Sequence, residues 1–145
     1  MSREITNKKA SFRYHLLESF TAGIVLSGSE IKSIRAGKAN ITDAYCKWIQ
    51  GEFYVINLYI APYENAGYSQ HKERRERKLL LTVPELRKLD RKMKDAGVTV
   101  VPTRLFINNK GWAKLDISLA TGKTAGDKRI SQKEKDLKRE RDRGE

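Results

Sequence analysis

Cations dominate the residue types that could do chemistry in this chain. Between Ala22 and Asn40 the sequence reads AGIVLSGSEIKSIRAGKAN, with Lys32, Arg35 and Lys38 at intervals of three. A second cluster, KERRERK at 72–78, holds five cations and two anions. Lys and Arg so grouped neutralise phosphates. They bring no paired acid, base or nucleophile with them. The remaining candidates fail on spacing. Gly122-Lys123-Thr124 ends like a phosphate-binding loop, but the glycine required five residues before Gly122 is Ile117. His15, His71 and Cys46 lack zinc-ligand spacing. Cys46 has no histidine near it in sequence to serve as its base, and nothing pairs Asp116 with Asp127. No catalytic residue, metal or cofactor is expected. The chain is read as a binding protein rather than an enzyme.

The whole composition agrees with this reading. Thirty Lys+Arg against 18 Asp+Glu give a net charge of +12 and a pI near 9.9 over 145 residues. Such an excess attracts polyanions, without distinguishing RNA from DNA. No apolar run approaches the roughly 20 residues of a membrane span, and the N-terminus lacks the apolar core of a secretory signal. One cysteine cannot form an internal disulfide, which suits a reducing compartment. A cytoplasmic, monomeric protein with no membrane partner is expected.

The cations need elements to hold them. Ile24-Val25-Leu26 is strand-like and runs into Ser27, which stands three before Glu30 as in a capping box. Ile31 and Ile34 follow at helical spacing, Lys32 and Arg35 fall on the opposite face, and Gly37 sits where a left-handed residue would end the helix. Thr82 and Glu85 repeat the box before Leu86, Leu89 and Met93, with Pro84 in the first turn and Gly97 as the stop. Elsewhere the period is two. Phe12, Tyr14 and Leu16 alternate through residues 11–26, where Gly23 is expected to mark a bulge or bend. Residues 45–60 form two runs broken by Gln50-Gly51, a hairpin turn, and concentrate aromatics that serve either as core or as stacking partners for bases. Val98–Val101 and Leu105–Ile107, with Pro102 interrupting them, and residues 112–120 complete the strands. Residues 1–10 and the loop 62–78 carry no apolar period; the cationic half of that loop is either a solvated face or a phosphate-tracking segment.

The pattern predicts a mainly β chain: a small oligonucleotide-binding-like β-barrel over residues 1–121, with two or three short helices and residues 1–10 flexible. From Gly122 to Glu145 there are nine Lys or Arg, six Asp or Glu, and only Ala125, Ile130 and Leu137 as apolar residues. This basic tail is expected to be disordered when free. Ser131–Glu134 and the Glu134–Lys138 pair prepare it to become helical on a partner.

The string 22–40, with Asn7-Lys8-Lys9-Ala10 before it and Arg77-Lys78-Leu79-Leu80-Leu81 after it, closely resembles the SsrA-binding protein (small protein B) family over nearly the whole chain. The resemblance implies the same barrel fold. It also implies binding to the transfer-RNA-like part of transfer-messenger RNA and delivery of that RNA to stalled ribosomes. Elongation factor Tu and alanyl-tRNA synthetase are indirect partners through the charged RNA, and the tail enters the empty messenger channel near the decoding centre. Carried over by position, the RNA-facing residues are Lys32, Arg35, Lys38, Asn40, Arg75, Arg77, Lys78, Leu80 and Lys114. Those of the tail are Lys123, Asp127, Lys128 and Arg129. Three positions depart from the family pattern: Thr21 replaces a frequent glutamate, Thr124 a lysine, and Gly126 a larger, often aromatic, side chain. A tail that stops soon after Arg143 is expected to form a shorter helix. The rival readings are a general structured-RNA-binding or ribosome-associated module, a structural ribosomal protein, and an enzyme for which no constellation is present.

Overall fold

Ala113, Leu115 and Ile117 are buried while Lys114 and Asp116 between them reach solvent, and this alternation opens the long strand over residues 113–122, whose middle, from Ile117 to Ala120, is buried throughout. In the computed structural model, which describes residues 4–62 and 72–122, the elements run β1 (Glu4–Thr6), α1 (Ala10–Arg13), β2 (Tyr14–Ile24), α2 (Gly28–Arg35), β3 (Ala39–Asn40), β4 (Tyr45–Ile49), β5 (Glu52–Ile56), β6 (Tyr59–Ile60), β7 (Arg77–Leu80), α3 (Val83–Lys92), β8 (Val98–Ile107) and β9 (Ala113–Gly122). The described chain is mainly strand, as expected. Strand order is β1-β8-β4-β5-β7-β2-β9, and β9 pairs again with β8, so the sheet closes into a ring. Three of its joints are short: Cys46↔Val100 joins β4 to β8, Tyr54↔Lys78 with Val55↔Arg77 join β5 to β7, and Gly23↔Leu80 with Ile24↔Leu79 join β2 to β7. Closure removes the exposed edges that an open sheet would leave. Inside lie Ile34, Phe53, Val55, Leu58, Leu89, Leu105, Leu115 and Ile117, all nearly inaccessible. Each such Leu or Ile stabilises the fold by about 1.5–3 kcal/mol.

Both capping boxes form. Ser27 Oγ accepts from the Glu30 N–H at 3.3 Å and Glu30 Oε1 accepts from the Ser27 N–H at 2.9 Å. Thr82 and Glu85 make the equivalent pair. Gln50 and Gly51 take φ of 49° and 82°, the two left-handed residues that a tight hairpin requires. Of the aromatics, Phe53 is buried and packs on Trp48 at 4.8 Å, whereas Tyr45 lies open to solvent.

Three expectations are corrected. Residues 4–10, read as flexible, are structural: β1 pairs with β8 through Ile5↔Leu105, and Asn7 is buried. The bulge between Pro102 and Arg104 leaves carbonyls unpaired, and Asn7 meets them, its Nδ2 donating to Pro102 O at 3.0 Å and its N–H to Thr103 O at 2.9 Å. Pro102 therefore bends β8 at this bulge without ending the strand. Gly23 marks no bulge. That irregularity lies between Leu16 and Glu18, and Gly23 is where β2 pairs on both sides at once, with Leu80 and with Lys114.

Candidate nucleic-acid interface

Glu30 is the electrostatic centre of the cationic end. It is fully buried at the start of α2, where the capping box fixes its carboxylate. Arg75 grips that carboxylate with two N–H groups, Nε to Oε2 at 2.9 Å and Nη2 to Oε1 at 2.7 Å. Arg77 adds a third, Nε to Oε2 at 2.8 Å. Burial alone would raise the Glu30 carboxyl. The bonds from Arg75 and the Ser27 N–H, with the charge of Arg77, more than offset this and hold it below the ordinary carboxylate value.

Arg77 corrects the sequence-based site. Predicted to face RNA, it is completely buried, and each of its five N–H donors has a partner inside the protein. Besides Nε on Glu30, Nη1 donates to Leu58 O at 2.6 Å and Arg75 O at 3.1 Å, and Nη2 to Lys72 O at 3.3 Å and Glu73 O at 3.1 Å. Strand alternation places Arg77 on the same inward face as Leu79. Burial depresses its guanidinium from the usual arginine value, Glu30 opposes this, and the neighbouring Arg75 charge adds to the depression. Its role is positional: it folds segment 72–76 over α2 from within. Arg75 divides its duties, spending two donors on Glu30 while a third of its side chain stays open to solvent.

Of the other predicted residues, Lys32 and Arg35 lie exposed on α2, and the Arg35 guanidinium passes beside the β8–β9 turn at Gly111. Lys38 and Asn40 are exposed just beyond, on β3 and the turn before it. Leu80 and Lys114 share one row of the outer sheet face on either side of Gly23, and Leu80 lies over the space that a side chain at 23 would need. Lys78 turns outward beside β5, where it pairs with Glu52 at 3.0 Å. Lys123, Thr124, Gly126, Asp127, Lys128 and Arg129 lie outside the described residues.

The sequence reading missed two features of this end. One is Glu30 as an anchor rather than only a cap. The other is a polar chain beside the Lys114 row. Thr21 Oγ1 bonds Asp116 Oδ1 at 2.7 Å, Arg104 Nε bonds Asp116 Oδ2 at 2.9 Å, and Arg104 Nη1 reaches Glu4 Oε2 at 2.8 Å. Its signal was the outward alternation of Arg104 and Phe106, whose ring the guanidinium covers at 3.9 Å. A glutamate at 21 would put a second carboxylate against Asp116, so threonine suits this network. Cys46 is inert, since burial pushes its thiol far up. Among the described residues no helix is long and apolar enough to cross a membrane.

A closed ring of antiparallel strands, carrying a short helix whose cations are held outward over a buried carboxylate, defines a small, basic β protein built to present a rigid cationic end. The SmpB protein family model matches residues 4–144, and the chain belongs to that family. It is 58% identical over 139 residues to the SsrA-binding protein of Phocaeicola vulgatus, covering 96% of this chain and 93% of the relative. It is 46% identical to the SsrA-binding protein of Wolbachia pipientis over 94% and 92% of the two chains. Its fold matches a solved chain described as "tmRNA-SmpB: a journey to the center of the bacterial ribosome", with TM-score 0.71 and 45% identity over 84% of this chain and 85% of that one.

Proposed function

We propose that this chain binds transfer-messenger RNA and carries it to stalled ribosomes; its relatives are named SsrA-binding proteins, and the solved chain that shares its fold is described with tmRNA and the bacterial ribosome. The observation that carries the reading is the α2 end. Lys32 and Arg35 project from a helix that cannot shift without breaking the Glu30–Arg75–Arg77 network, so their charges are pre-placed. Folded RNA is read through shape, phosphates and 2′-hydroxyls, for which a preorganised cationic surface is suited. Lys32, Arg35, Lys38, Asn40, Leu80 and Lys114 face the RNA, with Arg75 partly so. Residues 122–145 form a basic tail that becomes helical in the empty messenger channel. There Lys123, Asp127, Lys128 and Arg129 meet the decoding centre, and an occupied channel leaves no room for them. Elongation factor Tu and alanyl-tRNA synthetase act through the charged RNA. The protein works as a cytoplasmic monomer and contributes binding, not chemistry.

The test is a reconstituted translation reaction on a messenger without a stop codon, supplied with charged transfer-messenger RNA. Adding the full chain is expected to append the RNA-encoded tag to the stalled peptide, and a double Lys32→Ala, Arg35→Ala variant to reduce tagging at least tenfold. Tagging at equal rates with and without the chain would overturn the proposal.

A further inference from the structure

Beside the α2 surface, a pocket of about 420 Å³ lies against the two-stranded β3–β6 sheet. That volume is within the roughly 300–1,000 Å³ of sites that take one small organic group. Ala39 and Ala61 keep it open, and Tyr59 gives it an aromatic side. Arg74 lies over the Tyr59 ring at 5.1 Å. Its plane is fixed because Nη1 donates to Asn57 Oδ1 at 3.0 Å, with Asn57 itself held at φ 63°. Nε and Nη2 of Arg74 have no partner among the described residues. Asn40 is opposite Tyr59 in the β3–β6 register, which puts their side chains on one face. Asn40 Oδ1 is already occupied by the Thr42 N–H at 2.8 Å, so its amide turns two N–H donors the other way. Lys38 adds an ammonium to the lining, while its backbone carbonyl is taken by the Ala61 N–H at 3.0 Å.

The polar side-chain groups offered by this pocket are therefore donors, set beside a stacked aromatic–guanidinium pair. Arg guanidinium planes and aromatic rings are the surfaces on which unpaired bases stack. We propose that the pocket receives one unpaired nucleotide of the bound RNA. Its base stacks on the Arg74–Tyr59 pair and presents carbonyl oxygens to Asn40 Nδ2, while its phosphate lies between Lys38 and Arg74. Uracil and guanine carry such carbonyl acceptors; adenine does not. The inference rests on the RNA-binding reading above but adds a site and a base preference that phosphate contacts alone do not supply.

The experiment follows the backbone amides of the full-length protein by ¹⁵N NMR during titration with single-stranded UUUU, with AAAA, and with a short fully paired RNA hairpin. UUUU is expected to shift Ala39, Asn40 and Ala61 saturably, and at least fivefold more tightly than AAAA. Tyr59→Leu is expected to weaken UUUU about tenfold and Tyr59→Phe to leave it unchanged, which separates stacking from a merely structural role. The hairpin is expected to shift Lys32 and Arg35 and spare the pocket. Pocket amides that stay still with UUUU while the hairpin moves α2 would overturn the nucleotide site and leave the RNA-binding reading standing. Equal or tighter binding of AAAA would overturn the base preference. If neither RNA shifts any amide, both readings fall.

Discussion

Replacing Glu30 by Gln tests whether the cationic end is built around one buried charge. Gln keeps the size of the side chain and an oxygen for the Ser27 N–H, so the cap survives. It removes the negative charge that faces Arg77 at 2.8 Å and Arg75 at 2.7 Å. Arg77 cannot escape to water, because its side chain is completely buried. Removing one partner of a buried pair leaves an uncompensated charge and costs about 3–5 kcal/mol. A folded domain is stable by about 5–15 kcal/mol in all. For a chain of this size the loss corresponds to a fall in Tm of roughly 12–20 °C. Urea unfolding followed by circular dichroism reads the change directly as a shift in midpoint. Glu18→Gln, which breaks the half-exposed Lys88–Glu18 pair, is the control and is expected to cost below about 1 kcal/mol. A Glu30→Gln loss no larger than the control's would refute the claim that Glu30 organises this end.

Other outcomes follow from the same geometry. The Glu30 carboxyl is held below its ordinary value of 4.5 in the folded state, so its stabilisation is full above that value and is lost as pH falls through the lowered one. Urea midpoints of the wild type are expected to fall as pH drops below about 4.5, and the share due to Glu30 to vanish in Glu30→Gln. Arg35→Ala is expected to leave the urea midpoint unchanged while lowering the salt slope of RNA binding by roughly 0.7–0.9. Arg77→Gln is expected to do the reverse, lowering the urea midpoint by an amount equivalent to about 3 kcal/mol or more of stability before any effect on the slope can be read. The buried Cys46 thiol is expected to resist a thiol-reactive dye in the native protein and to react at once in denaturant.

What was legible in the sequence was local. Ser27 with Glu30 and Thr82 with Glu85 announce helix starts because the bonds that make them span three residues. Gln50-Gly51 announces a hairpin because the turn demands left-handed residues at those two positions. Strand alternation marked Leu115, Ile117 and Leu119 as core. What failed depended on distance along the chain. The partners of Glu30 lie 45 and 47 residues away, and charge pattern alone cannot tell a cation that faces phosphate from one that faces a buried carboxylate. The two-residue period through Arg77-Lys78-Leu79-Leu80 did hold the answer, since an inward Leu79 requires an inward Arg77. Residues 4–7 looked unstructured because Ile5 is a lone apolar residue. Its pairing partner, Leu105, lies across the fold. The pairing of Arg74 with Tyr59 escaped notice for the same reason, one read as part of a charge run and the other as one of several aromatics that serve either as core or as stacking partners.

The most direct test of the central claim is a binding titration of the full chain against the transfer-RNA-like domain of transfer-messenger RNA and against an unrelated folded RNA of equal length, at several salt concentrations. Both complexes are expected to weaken with salt, because each neutralised phosphate releases counterions. At physiological salt the cognate RNA is expected to keep an advantage of about 100-fold, or about 2.7 kcal/mol. Coincident curves would contradict the account. They would mean that the +12 charge alone drives binding and that the chain is a general binder of structured RNA.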